Sequence, residues 1–156
     1  MINVDNLLVD AMNAEIKAKE FYLKASQKAQ SPSGQQFFKE LADFEQRHYE
    51  RVKHVIESRK AGQPFDAYEP AHIPMIDAEV KGELEPNKVE IVDVINIAIQ
   101  AEKDAQDRYK KIADALDDES SKALFMGLAE EESKHQRLLE DQFYHMSNKG
   151  TIIWGE

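Results

Sequence analysis

The sequence predicts an all-α protein: an antiparallel four-helix bundle built as two helical hairpins joined by a long crossover. Three observations predict it. Apolar residues recur at steps of three and four along four long segments, the spacing of a helix face that meets other helices. Short stretches of turn chemistry part the first segment from the second and the third from the fourth. A proline-bearing stretch at about 61–87, too long for a hairpin turn, parts the two pairs.

The first helix is expected over about 3–29, with Val4, Leu8, Ala11, Glu15, Ala18, Tyr22 and Ala25 on one stripe. "SPSG" at 31–34 breaks it, and a second helix runs from about 35 to 60, ending near Gly62-Gln63-Pro64. Its stripe is Phe38, Leu41, Glu45, His48, Val52 and Val55, with two polar residues at its centre. The third helix, about 88–116, starts after Asn87, an N-cap with Glu90 three residues on. It carries Ile91, Ile95, Ala98, Glu102, Ala105, Tyr109, Ile112 and Leu116. "DDESS" connects it to the fourth, about 120–147, with Ser120 as cap and Phe125, Leu128, Glu132, His135, Leu139, Gln142 and Met146 on the stripe. Stretched out, a crossover of about 25 residues reaches some 80 Å, against about 38 Å for a 25-residue helix. It can therefore run from one end of the bundle to the other. The tail at 148–156 is expected to dock Ile152, Ile153 and Trp154 against the bundle or a partner chain.

Composition narrows the chemistry. At 156 residues, with 32% charged side chains and only 6 Gly and 5 Pro, the chain suits one helix-rich domain with a real core. No run of about 18 apolar residues is present, and the N-terminus lacks a basic segment before an apolar one. No membrane span and no signal peptide are therefore expected, and the expected location is cytoplasmic. A net charge of −10 argues against a nucleic-acid partner and reads as the solvated surface of long helices. The absence of cysteine removes disulfides, iron–sulfur clusters and thiolate zinc sites, so any metal must be held by oxygen and imidazole nitrogen.

The two halves repeat. A shift of 87 residues places Glu15 on Glu102, Tyr22 on Tyr109, Phe38 on Phe125, Glu45 on Glu132 and His48 on His135. Glu15 and His48 are equidistant from the first turn, as Glu102 and His135 are from the second; Glu45 and Glu132 lie one turn away. Six polar side chains should thus converge at one level. A lone buried Glu–His pair is ordinarily a satisfied hydrogen-bonded unit. Four carboxylates together are not, because ionised like charges repel and are poorly solvated in low dielectric. Two divalent ions supply the missing positive charge, with neutral imidazoles as further ligands. One Glu from each of two helices and Glu-x-x-His from each of the others is the donor set of carboxylate-bridged di-iron or di-manganese bundles. Hard oxygen and imidazole donors suit two Fe ions, or Mn, and Zn can occupy the same ligands. Tyr22 and Tyr109 lie two turns beyond a Glu on the same face, and are either core tyrosines or donors to a ligand carboxylate on the opposite hairpin. His54, His72 and His145 fall outside the constellation and are expected on the surface or in loops.

"AEIKAKEFY" with "LADFEQRHYERV", and "AEKDAQDRY" with "LAEEESKHQRLL", resemble the helix pairs of the rubrerythrin-like proteins of the ferritin-like superfamily. The resemblance covers all four helices and implies a ferritin-like bundle around two metal ions. It implies that Glu45 and Glu132 bridge the metals, that Glu15 and Glu102 are terminal ligands, and that His48 and His135 serve one metal each. Full-length rubrerythrins add a cysteine-ligated, rubredoxin-like iron centre. This sequence has no cysteine, so the electrons are expected from an external donor protein. Rubrerythrins also place an extra Glu shortly after the first on the third helix, where Ala105 stands here. The implied activity is oxidoreduction: a peroxidase or oxidase reducing H2O2 or O2, in a homo-oligomer for which a dimer is favoured. The alternative is a ferroxidase that handles or stores iron.

Overall fold

The computed structural model describes residues 3–64, 83–149 and 153–154, with the backbone alone at 146–149 and 153. Residues 65–82 of the crossover, His72 among them, lie outside the described residues, as does Ile152. The fold is the expected four-helix bundle: α1 (Val4–Lys28), α2 (Pro32–Ala61), α3 (Lys88–Ala115) and α4 (Glu119–Lys149). Among the described residues, no helix is long and apolar enough to cross a membrane.

Helix ends are set by side chains that serve the orphan amides of the first turn. The Asn3 side chain accepts the Asn6 N–H at 3.2 Å. α2 begins at Pro32, inside the "SPSG" stretch expected to be a break: Ser31 Oγ accepts the Gly34 N–H at 3.1 Å, and proline tolerates the first helical position because no bond is lost there. α4 is capped by Asp118 rather than Ser120, the Ser121 N–H reaching Asp118 Oδ2 at 3.0 Å. Nor does Asn87 form the capping box expected with Glu90. Its side chain makes no cap bond and instead donates to the Lys28 carbonyl at 2.9 Å, tying the start of α3 to the end of α1.

α1 pairs with α2 and α3 with α4, and the hairpins meet along α1 and α3. Tyr22 meets Glu102 while Tyr109 meets Glu15, so residue numbers fall on α3 as they rise on α1. Those two helices are antiparallel, which makes α2 and α3 parallel and requires a crossover as long as the sequence provides. The apolar core lies in two layers. One holds Tyr22, Phe38, Leu41, Ile95 and Ala98, the other Tyr109, Phe125, Leu128, Leu8 and Ala11. The shift of 87 exchanges these sets, so the duplication is a pseudo-twofold whose centre falls between the layers.

One end of the bundle carries the tail, where Trp154 docks as expected but through a strand pair and a carboxylate that the sequence pattern did not announce. Strands β1 (Glu83–Leu84) and β2 (Ile153–Trp154) pair antiparallel, Glu83 opposite Trp154. Trp154 is fully buried against the chain's own bundle, its ring 5.2 Å from Phe37 and 5.8 Å from Phe38. Its indole N–H donates to Glu85 at 3.3 Å. The same carboxylate accepts the Gln30, Ser31 and Asn87 N–H groups and the Ser31 hydroxyl at 2.9–3.2 Å. Burial works to raise the Glu85 pKa, but these donors outweigh it and hold the carboxyl below its ordinary range. Gly34 sits beneath: a Cβ there would lie 2.8 Å from both the indole and Glu85 Oε1.

Trp154→Ala should therefore cost about 3–5 kcal/mol of unfolding free energy, the usual toll of emptying a large aromatic site. Denaturant titration checks this, and a loss below about 0.5 kcal/mol, as for an ordinary surface site, would contradict the anchoring role.

Candidate metal centre

Between the two apolar layers lies a polar one. Glu15 on α1, Glu45 and His48 on α2, Glu102 on α3, and Glu132 and His135 on α4 are all at most 2% exposed. They face inward because each continues an apolar stripe by a step of three or four. The two imidazoles stack with centroids 5.8 Å apart and planes inclined by 18°. His48 Nδ1 lies 2.6 Å from Glu132 Oε1 and 3.9 Å from both Glu15 Oε2 and Glu45 Oε2. His135 Nδ1 lies 3.1 Å from Glu45 Oε1, 3.6 Å from Glu132 Oε1 and 3.7 Å from Glu102 Oε2.

The donors fall into two sets: Glu15, Glu45, His48 and Glu132, and Glu45, Glu102, Glu132 and His135, each with its donor atoms within 4.8 Å of one another. Glu45 and Glu132 belong to both. Each of the six residues has one buried donor atom without a hydrogen-bond partner among the described residues: Glu15 Oε2, Glu45 Oε2, Glu102 Oε2, Glu132 Oε1, His48 Nδ1 and His135 Nε2. Such orphans are costly unless something else binds them. Five of them are the atoms aimed at the centre; the sixth, His135 Nε2, is on the far edge of its ring. The residues present fit a pair of metal ions.

The electrostatics agree. Burial, then the charge of Glu45, raises the Glu15 pKa well above the carboxylate range. Burial does the same to Glu45 and Glu132, followed by Glu132 and Glu102 for the first and by Glu102 and Glu15 for the second. For Glu102 burial pushes upward, yet the His135 hydrogen bond and charge and the Tyr22 hydroxyl bring the balance below the usual value. His48 is disfavoured as a cation by burial, but the Glu131 hydrogen bond and the Glu15 and Glu45 charges raise its pKa overall.

The tyrosines cross-tie the hairpins. The Tyr22 hydroxyl donates to Glu102 Oε1 at 2.5 Å, and the Tyr109 hydroxyl donates to Glu15 Oε1. Burial and the adjoining carboxylates push both phenols well above their ordinary pKa, so they stay protonated and keep donating. Each leaves the other carboxylate oxygen, Oε2, facing the centre. His54 is exposed and His145 partly buried beside Tyr144, and neither reaches the site.

Sequence reasoning missed one residue. Glu131 is 3% exposed, and its Oε2 lies 2.7 Å from His48 Nε2, gripping the ring edge opposite the metal donors. The signal was present: Glu131 follows Leu128 by three and precedes His135 by four, so it lies on a widened core face. Its place in the run Glu130-Glu131-Glu132 made it look like solvated surface. Asp104, by contrast, is exposed and bonded to Gln100, off the core face. A cleft of about 310 Å³ opens between α1 and α3, walled by Ala14, Ala18, Phe21, Ala101 and Ala105, and reaches all four carboxylates.

These shifts fix how stability depends on pH without metal. Glu15, Glu45, Glu132 and His48 hold protons more tightly folded than unfolded, so their contribution is full below their ordinary pKa values and is lost as pH rises through the raised ones. Within the site Glu102 runs the other way, as Glu85 does at the end of the bundle. The metal-free melting temperature should fall between about pH 5 and pH 8, and Mn(II) should raise it more at the higher pH, because ions replace protons on the same atoms. Calorimetry with and without Mn(II) checks this; an equal metal increment at both pH values would refute it.

A family model for rubrerythrin matches residues 6–142. A solved structure, of a hypothetical protein from Pyrococcus furiosus, is 27% identical, with 94% of this chain and 92% of that one covered at a TM-score of 0.73. No curated protein matches the chain. The family match runs from α1 into α4 and takes in all six converging residues: the chain belongs to the rubrerythrin family.

Proposed function

We propose that the chain is a dinuclear-metal oxidoreductase that reduces H2O2 or O2 with electrons from a separate donor protein. The observation that carries this reading is the pair of four-residue donor sets that share Glu45 and Glu132. Sharing would let those two bridge a pair of ions, with Glu15 and His48 completing one position and Glu102 and His135 the other. Four negative carboxylates balance two divalent ions, and the sulfur-free donor set favours iron or manganese over softer metals. A di-ferrous pair held there would supply two electrons, enough with two protons to convert one H2O2 to two water molecules.

The chain's own groups do the rest. Tyr22 and Tyr109 hold Glu102 and Glu15 by one oxygen each, which limits the carboxylates to small swings between binding modes. The cleft admits molecules of the size of peroxide or dioxygen, since water occupies only about 30 Å³ in the liquid. Its alanine walls, Ala105 among them at the position where rubrerythrins carry an extra carboxylate, leave the approach to the site uncrowded. Oxidant enters here, and electrons arrive from a partner that docks on the outside of a homodimer.

Anaerobic loading should give about two irons per chain, and Glu45→Ala should lose both, whereas His54→Ala should bind as wild type; a stoichiometry near one would sink the shared-site reading. Single-turnover oxidation of the loaded protein by H2O2 and by O2, followed optically, names the oxidant. Turnover with Fe(II) as the consumed reductant in a closed multi-subunit cage would instead favour iron handling. Ala18→Phe, which narrows the cleft and replaces no donor residue, should slow oxidation while iron stoichiometry stays at the wild-type value; an unchanged rate would place oxidant entry elsewhere.

A further inference from the structure

The duplication matches at every donor position but not beside the histidines. Glu131 and Phe44 correspond under the shift of 87, and each packs against the histidine of the opposite hairpin. Glu131 Oε2 is 2.7 Å from His48 Nε2. The Phe44 ring lies 5.0 Å from the His135 ring at 52°, and His135 Nε2 has no hydrogen-bond partner among the described residues. Behind Phe44 stands the Arg47 guanidinium, 4.9 Å from the ring centroid.

We propose that Glu131 makes the two metal positions inequivalent, so that the position completed by His48 binds a divalent ion more tightly than the one completed by His135. This rests on the dinuclear reading above. An imidazole that gives Nδ1 to a metal carries its proton on Nε2, and an acceptor there fixes both the tautomer and the ring orientation. Glu131 is that acceptor for His48, and its negative charge raises the basicity of Nδ1. The corresponding place beside His135 is a hydrocarbon face backed by a cation, which offers the Nε2 proton no acceptor. Glu131 is thus a positioning residue that acts through His48.

Single-histidine variants isolate each half. Under anaerobic calorimetric titration with Mn(II), His135→Ala, which keeps the Glu131-backed half, should bind its ion about tenfold or more tightly than His48→Ala, within the range that such outer carboxylates command. Adding Glu131→Gln to His135→Ala should weaken it by about 10–100-fold, and adding it to His48→Ala should change nothing. Equal affinities of the two single variants, or equal losses in both backgrounds, would overturn the inference. Should a variant fail to fold, wild-type crystals half-loaded with Mn(II) decide the matter: stronger anomalous scattering beside His48 supports the inequivalence, and equal scattering overturns it. If no ion binds wild type at all, the dinuclear reading falls and the inference with it; two ions bound equally remove the inference alone.

Discussion

Everything in this molecule is arranged around a layer of charge in the middle of its core. Four carboxylates and two imidazoles, buried at one height, cannot be held there by packing alone. Burial raises three of the carboxyls far above their ordinary range, so without metal the layer takes up protons to reduce its own repulsion. The apolar layers on either side must carry the fold regardless, and their fully buried side chains, Phe38 and Ile95 in one and Leu8 and Phe125 in the other, are placed to do so. Two divalent ions would turn the same layer from a burden into a cross-link among all four helices.

The pseudo-twofold explains why the chain needs its less regular parts. A twofold that exchanges α1 with α3 through the centre of the site sets those helices antiparallel, and two hairpins related this way can be joined only by a strand of chain that runs the bundle's full length. The far end of that crossover then has to be secured. Glu85 does this with its five donors, holding the turn between α1 and α2, the entry to α3 and the indole of Trp154 at one point. This fastening has no counterpart at the opposite end among the described residues. It breaks the symmetry of the fold without disturbing that of the donor atoms.

Helices and the six converging residues were legible for the same reason: a period of 3.6 repeated over long segments places Glu15, Glu45, His48 and their copies on the core stripe, and the short hairpins make height a matter of counting from the turn. What escaped depended on contacts across the chain. Pro32 looked like a break because proline stops a helix from within, whereas Ser31 makes it a start. Asp118 and Ser120 are equally good caps by type, and only the geometry of the turn chooses between them. The pairing of Glu83–Leu84 with Ile153–Trp154 joins segments too short to show a period of two. Glu131 was hidden twice, by the acidic run around it and by the repeat itself, since matching the halves lays it on a phenylalanine.

That mismatch is also the point at which the two copies acquired different chemistry without different folds. Glu131 and Phe44 occupy equivalent places against equivalent rings, and either fills the space between helices. With a carboxylate at both, six buried negative charges would exceed the four positive charges of two divalent ions by two; Phe44 holds the count at five and the excess at one. A phenylalanine at both would have left neither imidazole with an acceptor for its outer N–H. One of each satisfies His48 at the cost of a single excess charge, and leaves His135 against a surface that makes no demand on it. A duplicated hairpin that preserves its six converging side chains could thus still divide the two positions they would offer a pair of ions, through one side chain that would touch neither.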